Sequence, residues 1–502
     1  MRIYIICFVI LAMIGCDDFE EINTNPDGST KASRSLLASN VILNLTSSNY
    51  GKPFYYNQLV SKYLAWAENA DGNQYNAFNR SGFGVYSIII DAEKMLELTT
   101  DQNRAAYEGL YHFAKAYKMF YLTLEVGDIP YSEAFKGEEG LVRPKYDTQK
   151  EVVLAILDDL EKAHTAFSER AHLEGDPVFS GDPEKWLRAT RALQLKVLMN
   201  LSKKESDPDL NLISRFKEYA ESDLMLSNAD NFTRTYSDNS KEYYPIYYTR
   251  LNHNPYAMLS DVLVDKLKET GDFRLFYFGR PAASQVAKGV KKDDFESFMG
   301  IDPSLPFDIV KDQWGDGEFS GINDRYTQNP AGEPVIKIGY AEQQFILAEA
   351  ALRGWIDEDP QVYYEEGIRA AMEFVADHTP DNEDYHHGRK ISEDNILQVI
   401  NHDVNKLQGE FDIDLEKIIY QKYLSSFMNR EWDSYYDYRR TGYPVFPINP
   451  STNQNIDNTK MPMRWMYPSS EYGYNSENVT AAVERQWQGK DDVNQLIWIL
   501  QD

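Results

Sequence analysis

From about Leu36 onward, apolar residues recur at the spacing of one helix face. Leu110, Phe113, Ala114, Tyr117, Tyr121 and Leu124 stand at i, i+3, i+4, i+7, i+11 and i+14, which predicts a helix over 107–126 with a single buried stripe. Val153, Ile156, Leu157, Leu160, His164 and Phe167 repeat the pattern and predict a second helix over 153–167. Helix starts are signposted as well. Thr148 and Glu151 form a capping box, and Asp182-Pro183 sets a cap residue before a first-turn proline. The same reading places helices at about 82–98, 183–203, 257–269, 340–354, 361–377 and 413–430. Gly127 and Pro130 read as a helix stop, since glycine accepts a left-handed backbone and proline cannot continue the helix.

Short connections between these helices predict helix-turn-helix units stacked side by side. Small residues at Gly367, Ala370 and Ala371, with Gly354 at the preceding turn, look like a degenerate tetratricopeptide repeat, although no fixed period accompanies them. The expected fold class is therefore mainly α: a scaffold of tetratricopeptide-like helix pairs with long loops and little strand. Between about 231 and 335 the helical pattern gives way to a stretch rich in Tyr, Asn, Gly and Pro. Loops of that length commonly carry function.

The N-terminus adds a different signal. Met1-Arg2 followed by the mostly apolar Ile3–Ile14 has the form of a secretory signal. As a helix it would span roughly 18 Å against a hydrocarbon core of about 30 Å, too short to cross a bilayer. Met13-Ile14-Gly15-Cys16 looks like a lipoprotein signal-peptidase box, in which Cys16 accepts the lipid. Residues 1–15 are thus expected to be a removed signal peptide, 16–33 a lipidated tether, and 34–502 a single domain. The tether is polar, with Asp17, Asp18, Glu20 and Glu21 directly after the cysteine.

Composition narrows the function. Across 502 residues, 51 Lys and Arg face 79 Asp and Glu for a net charge of −28, so the positive field that a nucleic-acid binder needs is missing. The two cysteines, Cys7 and Cys16, lie at the N-terminus, which removes disulfides, thiolate metal sites and cysteine nucleophiles from the body. The adjacent His386 and His387 diverge on a helix and suit one shared metal poorly. Asp312, Asp316 and Gly317 imitate part of a calcium loop, but Trp314 at its third position and Asn323 at its twelfth spoil it. Neither a metal nor a cofactor is implied. No Gly-x-Ser-x-Gly elbow, His-Glu-x-x-His helix or phosphate-binding glycine loop occurs.

Two clusters of aromatic residues among amides stand out. Trp66 with Asn69, Asp71, Asn73, Tyr75, Asn76 and Phe78 is one, and Trp314 with Phe319, Asn323, Tyr326 and Asn329 is the other. A sugar ring offers an apolar face that an aromatic ring can cover and a rim of hydroxyls that Asn and Asp can bond. The predicted ligand residues are Trp66, Asn69, Asp71, Asn73, Tyr75, Asn76, Trp314 and Tyr326. The competing reading is that each Trp seals a loop against the helices; Tyr243, Tyr244, Tyr247 and Tyr248 read as packing, and Arg439 and Arg440 as ion-pair partners of nearby carboxylates.

Several runs in order resemble the SusD/RagB family of surface nutrient-binding lipoproteins: Phe19-Glu20-Glu21-Ile22-Asn23-Thr24-Asn25-Pro26 after Cys16, Gly127-Asp128-Ile129-Pro130-Tyr131, Ala348-Glu349-Ala350 with Arg353-Gly354, Tyr438-Arg439-Arg440-Thr441-Gly442-Tyr443-Pro444, and Tyr467-Pro468-Ser469-Ser470-Glu471. Phe273 and Arg430 depart from the family's usual residues. The resemblance implies a SusD-like fold and a Bacteroidetes-type lipoprotein on the extracellular face of the outer membrane. It also implies a protein that binds glycan without cleaving it and passes it to a SusC-like TonB-dependent transporter. Two alternatives stay open: a peptide binder of RagB type, and a surface glycoside hydrolase, for which two suitably spaced carboxylates suffice.

Overall fold

In the computed structural model, residues 33–100, 102–248, 252–430 and 432–501 are described. The expected signal peptide, Cys16 and the tether up to residue 32 lie outside them. The first half of the scaffold is built from α1 (Arg34–Leu45), α2 (Tyr86–Glu97), α3 (Arg104–Val126), α4 (Gln149–Ser168) and α5 (Pro183–Asn200), each packed against the next. The local signals act as expected. Thr148 and Glu151 close a reciprocal capping box on α4, Asp182 accepts from Glu184 N ahead of Pro183, and Phe113, Tyr117, Ile156 and Leu157 are buried. Helix α3 stops at Gly127, where φ is +93° and a Cβ would meet Gln486 Oε1 at 2.3 Å, so no other residue suits the position.

The second half consists of α6 (Tyr340–Leu352), α7 (Pro360–Asp377), α8 (Phe411–Leu424) and α9 (Asp433–Thr441). Helix α6 packs on α7, α8 and α5 and so joins the halves. The α6–α7 crossing is close because Gly367 has no side chain; a Cβ there would lie 2.6 Å from the Phe345 ring. This is the helix-pair geometry that the small residues predicted. Among the described residues no helix is long and apolar enough to cross a membrane.

Charged residues fasten α5, α6, α8 and α9 from inside. Lys196 bonds Asp433 at 2.5 Å and Glu342 at 3.0 Å, Lys422 bonds Asp437 at 2.9 Å, and Arg440 clasps Glu349 with both terminal nitrogens while reaching Asp437 at 3.0 Å. Arg440 is thus the ion-pair residue the sequence suggested. Arg439 is not: it donates to the carbonyls of Met463 and Leu124 at 2.6 and 2.8 Å and lies over the Tyr435 and Tyr436 rings. A buried guanidinium satisfies backbone acceptors there, one of them a carbonyl of the last turn of α3.

Two antiparallel pairs complete the framework, β1 (Leu64–Trp66) with β3 (Ala257–Leu259) and β2 (Phe232–Arg234) with β4 (Val335–Ile338). The helix expected over 257–269 therefore starts only at Asp261. Ser260 caps it by accepting from Leu263 N, and the three fully buried residues before it pair with β1 instead. The helix expected over 413–430 ends at Leu424, since Met428 and Arg430 have positive φ and Arg430 N bonds Ile336 O. The 231–335 region also carries short helices, including Phe307–Gly315. Tyr244 is buried against Phe54 and Tyr236, while Tyr248 is about half exposed.

Candidate ligand-binding face

The two aromatic clusters are brought together in part. Strand β1 ends on Trp66, whose partner in the ladder is Ala257, and this pairing sets Tyr256 beside the indole. Ring centroids run from Tyr55 to Trp66 (5.5 Å), to Tyr256 (6.3 Å), to Trp314 (5.2 Å, planes 32° apart). Trp314 sits in the last turn of the Phe307–Gly315 helix rather than in a loop, and its Nε1 donates to Pro255 O at 2.8 Å. Beneath this pair lies an apolar bed of Ala65, Ala67, Met258, Ile301 and Val310. Tyr256 and Trp314 are each half-buried, so their rings have both a fixed back and an open side.

Trp66 is different. It is 0% exposed, so the open indole face expected at this position is absent. Tyr55 and Tyr256 flank the ring, and Lys52 Nζ stands 5.0 Å above it. A strand residue paired on a buried edge has its side chain pressed into neighbouring elements, and that geometry overrides the polar sequence around it. Trp66 thus carries Tyr256 from below.

Above Trp66 the polar residues converge on one ammonium. Lys52 Nζ lies 3.2 Å from Asp71, 3.4 Å from Glu68 and 2.9 Å from Asn69 Oδ1. Asp71 in turn accepts from Asn73 N and Nδ2 at 2.9 and 3.0 Å, and His253 Nδ1 is 3.3 Å from Glu68. Asn69 and Glu68 are exposed, Asn73 is half-buried and Asp71 is buried. The cluster therefore presents donors and acceptors at the surface on a backbone anchored below it.

The anchoring is specific. Gln74 accepts from Trp66 N at 2.8 Å and donates to Pro303 O at 2.9 Å, and Tyr75 OH donates to Leu305 O at 2.8 Å. Lys62 donates to Gln74 O at 2.5 Å and to Asn76 Oδ1 at 2.8 Å. Burial pushes the Lys62 ammonium down to about 7, with Asp302 opposing the shift, and pushes the Tyr75 phenol up to about 12, helped by Asp308 and Asp302. Tyr75 and Asn76 are buried; Gln74 and Tyr75 hold the segment against Pro303 and Leu305, while Asn76 bonds Lys62 and Asn453.

Of the second cluster, Phe319 packs on the same apolar bed as Trp314, whereas Asn323 and Tyr326 lie elsewhere. Asn323 caps the turn Asp324–Thr327 and spends its amide on the carbonyls of Phe276, Gly279 and Tyr385. Tyr326 is wholly buried against Tyr244 and Phe427, so it has no surface to offer a ligand. Phe78 stacks on Trp465 at 4.6 Å, outside the Tyr256–Trp314 group. Sequence reasoning missed Lys52, Glu68, His253 and Tyr256. The run Asn252-His253-Asn254-Pro255-Tyr256 has the same amide-and-aromatic make-up as the first cluster and was the available signal.

A family profile described as "SusD-like_2: Starch-binding associating with outer membrane" matches residues 26–468. The solved structure of a SusD homolog from Bacteroides fragilis is 52% identical with a TM-score of 0.92, covering 94% of this chain and 100% of its own. An outer-membrane protein of Bacteroides vulgatus described as involved in nutrient binding is 32% identical with a TM-score of 0.84, at the same coverage. A chitin-binding SusD homolog from Flavobacterium johnsoniae shares the fold at 20% identity and a TM-score of 0.69, covering 93% of this chain and 99% of its own. No curated protein matches the sequence significantly.

Proposed function

Because the chain belongs to the SusD-like family, described as starch-binding and associating with the outer membrane, we propose that it is a glycan-capturing lipoprotein of the cell surface. Captured oligo- or polysaccharide passes uncleaved to a SusC-like TonB-dependent transporter in the same membrane. The observation that carries the glycan reading is the half-open Tyr256–Trp314 pair on an apolar bed, rimmed by Lys52, Glu68, Asn69 and His253. The rings match the C–H face of a pyranose, and the rim supplies donors and acceptors to its hydroxyls. Asp71 and Asn73 steady that rim; Trp66, Tyr75 and Asn76 support it from beneath.

Lipidation at Cys16 is part of the proposal. It is favoured by the Met13-Ile14-Gly15-Cys16 run and by the acidic, turn-rich segment that follows. More than one acyl chain gives stable anchoring, and the tether leaves the body free to move over a transporter mouth. The deciding measurement sets a glycan array and a pool of peptides against the purified protein, with reducing-end release monitored on every polysaccharide bound. Binding to one or more glycans without release of reducing ends is expected. Binding confined to peptides, or release of reducing ends, overturns the reading.

A further inference from the structure

A cavity of about 180 Å³ opens between α1, the C-terminal half of α3 and the corner at Trp432. It shares no lining residue with the Tyr256–Trp314 face. A cavity of about 150 Å³ accommodates benzene, so this space fits one six-membered ring and not two. Its walls are unlike an apolar void. Asn44, Lys118, Glu125 and Arg430 line it together with the half-buried Trp432.

These groups are held in place by the surrounding structure. Lys118 Nζ donates to Asn44 O at 3.2 Å, Glu125 accepts from Ser81 Oγ at 2.5 Å, and Trp432 stands edge-on to Trp465 at 5.2 Å. Arg430 is fully buried. Its Nε and Nη2 are taken by the hydroxyls of Ser425 and Ser426, and its side chain has no exposed surface, so it backs the wall without offering a donor to a guest.

We propose that this cavity takes one pyranose ring, the end unit of the captured glycan, as a second site distinct from the outer face. An ammonium donor, a carboxylate acceptor and an amide that is both suit hydroxyls, which donate and accept at once. The indole of Trp432 suits the ring's C–H face. Since a second ring does not fit, the rest of the chain leaves through the mouth, and the site reads chain ends where the outer face reads chain length. The assignment rests on the glycan reading above.

Gly82 offers the means to test it. The residue lines the cavity, a Cβ added there meets nothing within 4 Å, and its φ lies outside the left-handed region. Gly82→Phe is therefore a plug that the backbone tolerates. The experiment is saturation-transfer NMR on the full chain with free glucose, galactose, mannose, N-acetylglucosamine, xylose and fucose, each at a concentration suited to millimolar affinity. Transfer to at least one sugar is expected in the native protein. It should vanish in Gly82→Phe at an unchanged melting temperature and persist in Trp314→Ala. Should Gly82→Phe not fold, Lys118→Met is judged by the same criteria. Transfer to no sugar, or transfer that survives both cavity variants, overturns the inference. Transfer lost only in Trp314→Ala puts the ring on the outer face, which overturns the cavity site and leaves the glycan reading standing.

Discussion

The charged seam between α5, α6, α8 and α9 and the rim over Trp66 use the same residue types to opposite ends. In the seam, Lys196 and Glu342 are each 2% exposed and lie 3.0 Å apart. At the rim, Lys52 and Glu68 are 19% and 32% exposed and 3.4 Å apart. Water screens the rim pair, so it adds little stability and its groups stay exchangeable with a ligand's hydroxyls. The seam pairs have given up their hydration, and each charge depends on its partners. A charge is structural or functional here according to whether solvent can replace its partner.

The largest effect should come from breaking the seam. Burial alone would raise the Glu349 carboxyl, but Arg440 and Arg353 outweigh it and hold the group below the usual carboxylate range. Arg440→Leu leaves Glu349 with Arg353 and Asp437 with Lys422 as their remaining partners, and removing one partner of a buried pair costs about 3–5 kcal/mol. Lys52→Ala at the rim should cost less than about 1 kcal/mol. Chemical denaturation of both variants checks the contrast. Equal losses would erase the distinction between the two regions.

Trp66 and Trp314 sharpen the comparison within the candidate face. Trp66→Ala empties a fully buried space and should cost about 3–5 kcal/mol of stability. Trp314→Ala removes a half-open ring. Its effect should fall on glycan affinity, roughly 1–2 kcal/mol or about five- to thirtyfold, with a smaller change in melting temperature. Calorimetric affinity and melting temperature measured on the same samples separate the two. If Trp314→Ala loses stability as Trp66→Ala does while keeping full affinity, both indoles are packing and the face lies elsewhere.

How much of this was legible in the sequence follows from the range of each interaction. Helices α3 and α4 were, because Leu110 to Leu124 and Val153 to Phe167 repeat at a local period and Thr148 and Glu151 cap within one turn. Arg440 was anticipated as an ion pair because acids are plentiful. Arg439 was misread because its acceptors, Leu124 O and Met463 O, are backbone atoms that any sequence provides. Strand β1 is too short to establish a period, and its partner β3 lies far along the chain. Nothing local could reveal that Trp66 is covered. The Phe307–Gly315 helix escaped notice because Val310 is its one buried residue. The cavity at Trp432 draws its walls from distant segments and has no sequence signature at all.

The smallest effect tests whether the loop-built region leaves a carboxylate without the matching cation that the seam supplies. Asp261, at the first position of its helix, is pushed up to about 6 by burial, with Asp302 and Asp265 adding to the rise and the Val262 N–H opposing it. Arg440 gives Glu349 the compensation that Asp261 lacks. A raised acid binds its proton more tightly in the folded than in the unfolded chain, so between about pH 4 and 6 folding takes up protons and stability falls as pH rises. Above about pH 6 the full penalty is present; below the unfolded value it is gone. Asp261→Asn removes the ionisation. It should therefore raise the melting temperature at about pH 7.5, with the gain shrinking through the window and vanishing near pH 4. The opposite sign is the natural competitor, since a negative charge in the first turn favours a helix and its loss alone would destabilise. Melting curves of the two proteins across this range decide between them. A gain that does not change with pH, or a loss that grows above pH 6, would mean the helix terminus stabilises the Asp261 charge more than its burial beside Asp302 opposes it.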